Sequence, residues 1–278
     1  MNLFFYLAQP FAQHALLAAS LVAISCGLIA PFVVTRAMAF AVHGTSELAF
    51  TGAAAGLILA NNPVAGALGG TLIVATIIGF LGERQRERDT SIGVVLAFGL
   101  GLGVLLLGFY HGFATSATNI LFGNIFGVSA GQLALLVGIG LGVIIIMGAI
   151  YRPLMFASID PEVAEARGVP VRLLGLIFLF VLALTVTEAA QIVGTLLVLS
   201  LAITPAAAAQ YLSKKPATVT MLSIGFALLA SDGGLLASLA SGTIKPSVFI
   251  TGISFAIYVV ARVFGGSNRR PSRIQPAR

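Results

Sequence analysis

Long apolar runs, broken by short polar or basic stretches, dominate the chain. Nine stand out, at about 14–35, 44–61, 64–82, 91–110, 131–150, 172–188, 191–211, 217–236 and 247–264. Each is close to the roughly 20 residues an α-helix needs to cross a bilayer. The short alternating strands of a β-barrel are missing, so helices remain as the way to satisfy backbone polar groups in lipid. The expected fold is all-α, a polytopic transmembrane helix bundle of about nine spans. The runs 172–188 and 191–211 are joined by the tightest turn, so one of them is expected to be broken or re-entrant, which makes eight spans the alternative. Residues 1–13 read as an N-terminal segment, 14–264 as the transmembrane domain and 265–278 as a basic tail.

Composition narrows the class further. Of 278 residues, 58% are hydrophobic and only 9% charged, against roughly 25% charged in soluble proteins. The mean hydropathy is +1.05. So few charges cannot cover a soluble domain of this size. A soluble enzyme, a disordered chain and a disulfide scaffold are excluded. Cys26, the single cysteine, has no partner for an internal bridge.

The net charge is +6, and its distribution gives an orientation. Arg84, Arg86 and Arg88 form one cluster, Arg152, Arg167 and Arg172 a second, and Lys214 and Lys215 a third. Arg269, Arg270, Arg273 and Arg278 lie in the tail. Each interval between clusters holds two spans, so all of them, with Arg36 and Arg262, can face one side. Only Lys245 falls outside that scheme. The positive-inside rule then predicts a multi-pass protein of the plasma membrane with a cytoplasmic C-terminus and, for nine spans, an external N-terminus. The positive charge needs no nucleic-acid partner, because the lipid bilayer accounts for it. Residues 1–13 contain no Lys or Arg, so no cleavable signal peptide is expected.

No G-x-x-x-x-G-K-[ST] loop occurs, and neither HExxH nor GxSxG is present. The chain is therefore expected not to be an enzyme, and ATP hydrolysis, if transport uses it, falls to another polypeptide. The loop YRPLMFASIDPEVAEARGVPV (151–171) predicts a short helix near 160–168. Asp160 is a good N-cap, Pro161 suits the first turn and Glu162 favours the N-terminal end. Gly168 is a good stop. Two turns are not stable alone, so this helix, with Ala164 at its centre, either docks a cytoplasmic subunit or packs on the bundle.

Ionisable groups at membrane depth are costly and mark function by default. His43 and Glu47 in MAFAVHGTSELAFTG (38–52) are spaced i, i+4 and share one helix face, which Thr51 continues. Measured from Arg36, Glu47 is about 16 Å along the helix at about 1.5 Å per residue, roughly half of a hydrocarbon core of about 30 Å. An imidazole and a carboxylate on one face suit a divalent transition metal. Two ligands make a transient station, completed by water or by a symmetry mate. The same pair also reads as a hydrogen-bonded contact between helices. Glu188 and Gln191 are expected between two spans, either at the outer mouth or simply capping a turn. Asp232 is expected at a helix terminus. Ser200, Thr204 and Pro205 are expected to break or kink their helix.

Taken together, these stretches resemble the integral-membrane permease subunit of the zinc/manganese (ABC-3) family of ABC metal importers over about 10–265. The family's second-span pattern is roughly Met-Ser-x-x-x-Asp-Ala-x-Ser-His-x-x-Leu-Pro-Gly. Here Met38, Ser46 and Gly52 match, His43 stands at the Asp position, Glu47 at the His position, and Thr51 replaces the Pro. ERDTSIGVVLAFGLGLGVLLL (87–107), LFGNIFGVS (121–129, with Asn124 in an acid's place), IDPEVAEARGVPV (159–171) and IVGTLLVLSLAITPAAAA (192–209) resemble further family segments in order.

The resemblance implies a type II ABC-importer-like permease, working as a homodimer with cytoplasmic ABC ATPase subunits and an extracytoplasmic metal-binding protein. It implies metal contact at His43 and Glu47, with Thr51, Glu188 and Gln191 as further pathway candidates. It also implies ATPase docking through Asp160, Pro161, Glu162, Ala164 and Gly168. No cofactor is expected on this chain. The cargo would be a divalent metal ion, zinc or manganese first and iron as a further option. Two rivals are a siderophore- or cobalamin-type ABC permease and a gradient-driven secondary transporter.

Overall fold

The computed structural model describes residues 9–80, 85–110 and 114–266. The expectations for residues 1–8, Arg84 and the tail after Gly266 lie outside them. Among the described residues there are helices and no strands. In order they are α1 (Pro10–Thr35), α2 (Ala39–Ala60), α3 (Pro63–Phe80), α4 (Gln85–Gly108), α5 (Ala114–Phe122), α6 (Ala130–Ile159), α7 (Pro161–Ala166), α8 (Val171–Val193), α9 (Leu199–Ala202), α10 (Thr204–Leu212), α11 (Pro216–Ser241) and α12 (Pro246–Gly266). Single 3-10 turns occupy Ile125–Gly127 and Thr195–Leu197.

Among the described residues six segments are long and apolar enough to cross a membrane: α1, α6, α8, the Thr195–Leu212 segment, α11 and α12. Two shorter apolar helices, Pro63–Gly79 and Gly93–Gly108, correspond to two more of the expected runs. The remaining run corresponds to α2, which carries His43 and Glu47. The expected break falls in the second run of the close pair. α8 ends at Gly194, a 3-10 turn follows, and the helix is interrupted again at Ile203 before Thr204–Pro205 opens α10.

Some boundaries move, for reasons of local physics. α4 begins at Gln85, so Arg86 and Arg88 lie on its first turn and not in a loop. α6 continues through Arg152 and Pro153 to Ile159. α8 continues through Glu188 and Gln191 to Val193. In each case the apolar scan stopped at a polar residue, whereas a helix stops where its backbone bonds can be capped.

α1 is the central column. Its alanine-rich faces are buried, including Ala12, Ala15, Ala18, Ala19, Ala23 and Ala30, and it packs against α6, α8, α10 and α11. Small side chains let the backbones approach, which drives helix association where lipid offers no hydrophobic gain. The closest such contact joins α2 to α3. A Cβ on Gly52 would stand 2.2 Å from the Gly66 carbonyl oxygen, and one on Gly70 2.3 Å from that of Leu48. One end of the bundle brings together Arg36 with Gly175 and Gly79 with Leu176. Here too the Tyr151 hydroxyl meets that of Thr220 at 2.9 Å and the Arg36 guanidinium lies 5.7 Å from the Phe178 ring centre. This is the basic end.

Candidate functional site

The site grows from the first three turns of α2. Arg36 ends α1, Ala37 takes a positive φ of 51° to reverse the chain, and Met38 starts α2. His43 and Glu47 therefore sit one turn apart, as the i, i+4 spacing expects. Glu47 is 4% exposed. His43 borders a shallow, open cavity formed with Ala39, Phe40, Leu199, Ile203 and Thr204. That cavity thus lies between the start of α2 and the double break in the Thr195–Leu212 segment.

Between them, the Ser46 hydroxyl donates a buried hydrogen bond to the Thr195 carbonyl. Thr195 is available because the helix has just ended. Gly194 adopts φ 89°, ψ 154°, a conformation open to glycine and almost nothing else. Space demands glycine there too. A Cβ on Gly194 would lie 2.2 Å from the Leu121 carbonyl oxygen, and one on Gly123 (φ 76°) 2.2 Å from that of Ile192. The two glycines let the turn after α5 cross the end of α8, and the Asn124 N–H donates to the Gln191 carbonyl at 3.2 Å.

On the other side of the Ser46–Thr195 contact lies a second cavity, of about 190 Å³. Its polar lining is Asn119, Asn124, Gln132, Gln191 and Thr195, set among small apolar residues of α2 and α3. The Ser46–Thr195 bond thus separates two cavities, with Glu47 adjoining the bond and His43 on the basic-end side.

The remaining candidates divide. Gln191 lines the second cavity, although it sits inside α8 and not in a turn. Glu188 does not join it. The expected position between two spans is corrected: Glu188 is 0% exposed in the interior of α8, where the Ser25 hydroxyl of α1 lies beside its carboxyl group. Thr51 continues the His43–Glu47 face in sequence, but its hydroxyl is spent on structure. It lies within hydrogen-bonding reach of the Glu47 carbonyl at 3.2 Å and the Gly99 carbonyl at 2.5 Å, tying α2 to α4. Asp232 is likewise corrected from a helix terminus to the interior of α11, where it accepts from the Ser20 hydroxyl at 3.1 Å. Among the described residues no three His, Cys, Asp or Glu side chains gather into a metal-sized group. His43 and Glu47 therefore offer two potential donors from one chain.

Asp160 caps α7, accepting from the Val163 N–H at 3.0 Å. Pro161 and Glu162 open the helix. At the far end the Gly168 N–H donates to the Glu165 carbonyl at 2.9 Å and the Val169 N–H to that of Ala164 at 3.0 Å, with Gly168 at φ 81°. This is a Schellman closure. Only Ala164 is buried; the rest of α7 is exposed, Val163 at 44% and the preceding Ile159 at 63%.

Sequence reasoning placed Ser46 only in the family pattern and missed its bond to Thr195 and the amide cavity. The available signal was the rarity of amides in so apolar a chain, with Asn119, Asn124, Gln132 and Gln191 falling near three different span ends.

Comparison with known proteins gives a consistent set of similarities. A model of the ABC 3 transport family matches residues 8–265. The manganese transport system membrane protein MntC of Halalkalibacterium halodurans is 32% identical over 230 residues, covering 82% of this chain and 79% of that protein. The high-affinity zinc uptake system membrane protein ZnuB of Haemophilus influenzae is 31% identical over 224 residues, covering 79% and 85%. Among solved structures, PsaBC from Streptococcus pneumoniae in complex with Fab superposes with a TM-score of 0.83 at 28% identity, covering 94% of each chain.

Proposed function

The chain belongs to the ABC 3 transport family, and from that premise we propose that it is the membrane permease subunit of an ATP-driven importer of manganese or zinc. The observation that carries the cargo is the His43–Glu47 pair. A buried carboxylate and an imidazole one turn apart are expensive in a membrane and match the donor preferences of these ions. Relatives named for manganese and for zinc transport support both choices of metal.

The mechanism on this reading is alternating access. Two copies of the chain pair, each meeting a cytoplasmic ATPase, and an extracytoplasmic binding protein delivers the ion to the end opposite the basic one. The basic end, with the C-terminus, faces the cytoplasm. ATP binding and hydrolysis in the partner move α7 and, through it, the helices it joins. The ion passes the Ser46–Thr195 contact and is held by Glu47 and His43. It leaves through the cavity beside His43. Two ligands, met by water or by the second copy, hold a divalent ion weakly enough to release it. The exposed, doubly capped α7 supports its role as the ATPase contact, because a six-residue helix needs outside contacts to persist.

The test is uptake of Mn²⁺ and Zn²⁺ by vesicles holding the assembled complex. Changing both His43 and Glu47 to Ala is expected to abolish ATP-dependent uptake while the ATPase still co-purifies. Unchanged uptake with normal assembly rejects the assignment.

A further inference from the structure

We propose that the cavity at the end opposite the basic loops is a holding station for a divalent cation that keeps its full water shell, recognised by the side-chain amides of Asn119, Asn124 and Gln191. The inference rests on the importer reading and adds a second station to it, with a different mode of recognition.

Size comes first. The cavity measures about 190 Å³. That leaves room for a small divalent ion together with its first shell of waters.

Chemistry comes second. Among the described residues no Asp, Glu, His, Lys or Arg lines the cavity, so none of them strips the shell. The amides offer carbonyl oxygens, which accept hydrogen bonds from metal-bound water, a stronger donor than bulk water because the ion withdraws charge from it. Three of these amides are unspent. Among the described residues the side chains of Asn119, Asn124 and Gln191 have no hydrogen-bond partner, whereas the Gln132 carbonyl accepts from the Ser129 N–H at 3.0 Å and the Thr195 hydroxyl lies 3.5 Å from the Ile120 carbonyl. Asn124 is exposed and Asn119 and Gln191 are half-buried, so a hydrated ion reaching the pocket displaces only bulk water from them.

Electrostatics decides the sign. Residues near the C-terminal ends of three helices line the cavity: Leu57 of α2, Ile120 of α5 and Ala190 of α8. Such ends carry partial negative charge and favour cations. Two helix N-termini also reach it, but both are already capped by their own side chains, α3 by Asn62 onto the Ala65 N–H at 3.1 Å and α6 by the Ser129–Gln132 capping box. Lys245, the lone Lys or Arg assigned to this end, lies 5.5 Å from the centre of the Phe122 ring and is not part of the lining. Thr195 ends the cavity, its carbonyl holding Ser46, the neighbour of Glu47. A hydrated ion waiting here must shed water to move on, and outer-sphere holding is weak enough to let it.

The experiment uses the permease–ATPase complex in nanodiscs, with Mn²⁺ as the probe and pulsed electron paramagnetic resonance counting water ligands. A His43→Ala, Glu47→Gln variant is expected to keep a weak class of Mn²⁺ with its complete water shell. Adding Asn119→Leu, Asn124→Leu and Gln191→Leu should weaken that class by about tenfold or more. If the amide variant does not assemble, Asn124→Asp serves instead and should tighten the class by about tenfold. A hydrated class indifferent to the amide changes, one that loses water ligands in the cavity, or no tightening with Asn124→Asp overturns the station. Absence of ATP-driven metal uptake by the unaltered complex would reject the importer reading instead, and the water count is read independently of it.

Discussion

The hydroxyl of Ser46 donates to the backbone carbonyl of Thr195, joining the buried face of α2 to the chain just after the end of α8. Because the acceptor is backbone, the two partners respond differently to substitution. Ser46→Ala leaves a buried carbonyl without its donor, a loss of about 1–3 kcal/mol. Thr195→Ala keeps the carbonyl and gives up only a long 3.5 Å contact of its own side chain. Thermal unfolding of the detergent-solubilised permease is expected to drop for Ser46→Ala and to change little for Thr195→Ala. Equal effects would mean that the link does not hold the two elements.

The crossing of Gly123 and Gly194 makes a second prediction. At both positions φ is positive and a Cβ would enter backbone, at 2.2 Å in each case. Gly194→Ala therefore meets both strain, of order 1–3 kcal/mol, and collision. Gly101 and Gly138 lie in helices with nothing within 4 Å of a built Cβ, so alanine there is expected to be neutral or to stabilise by up to about 1 kcal/mol. Expression and unfolding midpoints of the three variants measure the contrast. A benign Gly194→Ala would show that the break does not need its present backbone.

These two contacts also show how far the chain could be read without coordinates. Helix count, the capped α7 and the i, i+4 pair are local properties. Hydrophobic runs, Asp160–Pro161 and the spacing of His43 to Glu47 carry them within a few residues of chain. The break after α8 was legible as a turn too tight for two spans. Its partner was not: nothing near Ser46 announces that a residue 149 positions later accepts its proton. Glu188 misled for the opposite reason. An acid in an apolar stretch reads as the end of a span, and only packing by neighbouring helices shows that α8 runs on past it. The amide cavity likewise exists only once five separate elements meet.

Glu47 and Glu188 are both buried acids, and they are expected to behave differently. Glu188 is buried beside the Ser25 hydroxyl and borders neither cavity described above. A buried carboxyl group costs free energy even with one hydroxyl beside it, and its apolar replacement is often neutral or favourable. Glu188→Leu is expected to raise or preserve the unfolding temperature and to leave metal uptake in place, whereas Glu47→Gln should lower uptake with little change in folding. Vesicle uptake and thermal unfolding on both variants test this. A Glu188→Leu protein that folds but no longer transports would return Glu188 to the pathway.

α7 allows folding and docking to be separated. Asp160→Ala removes the cap that holds the Val163 N–H and should cost about 1 kcal/mol, loosening the helix itself. Val163→Glu leaves the cap, Gly168 and the buried Ala164 untouched and alters only an exposed apolar position. If α7 is the ATPase contact, Val163→Glu should reduce co-purification of the ATPase subunit and the coupled uptake of metal, while the permease alone unfolds at its usual temperature. Asp160→Ala should weaken both the helix and the assembly. Full ATPase recovery with Val163→Glu would assign α7 to packing on its own bundle, and the contact would then have to be sought elsewhere on the basic end.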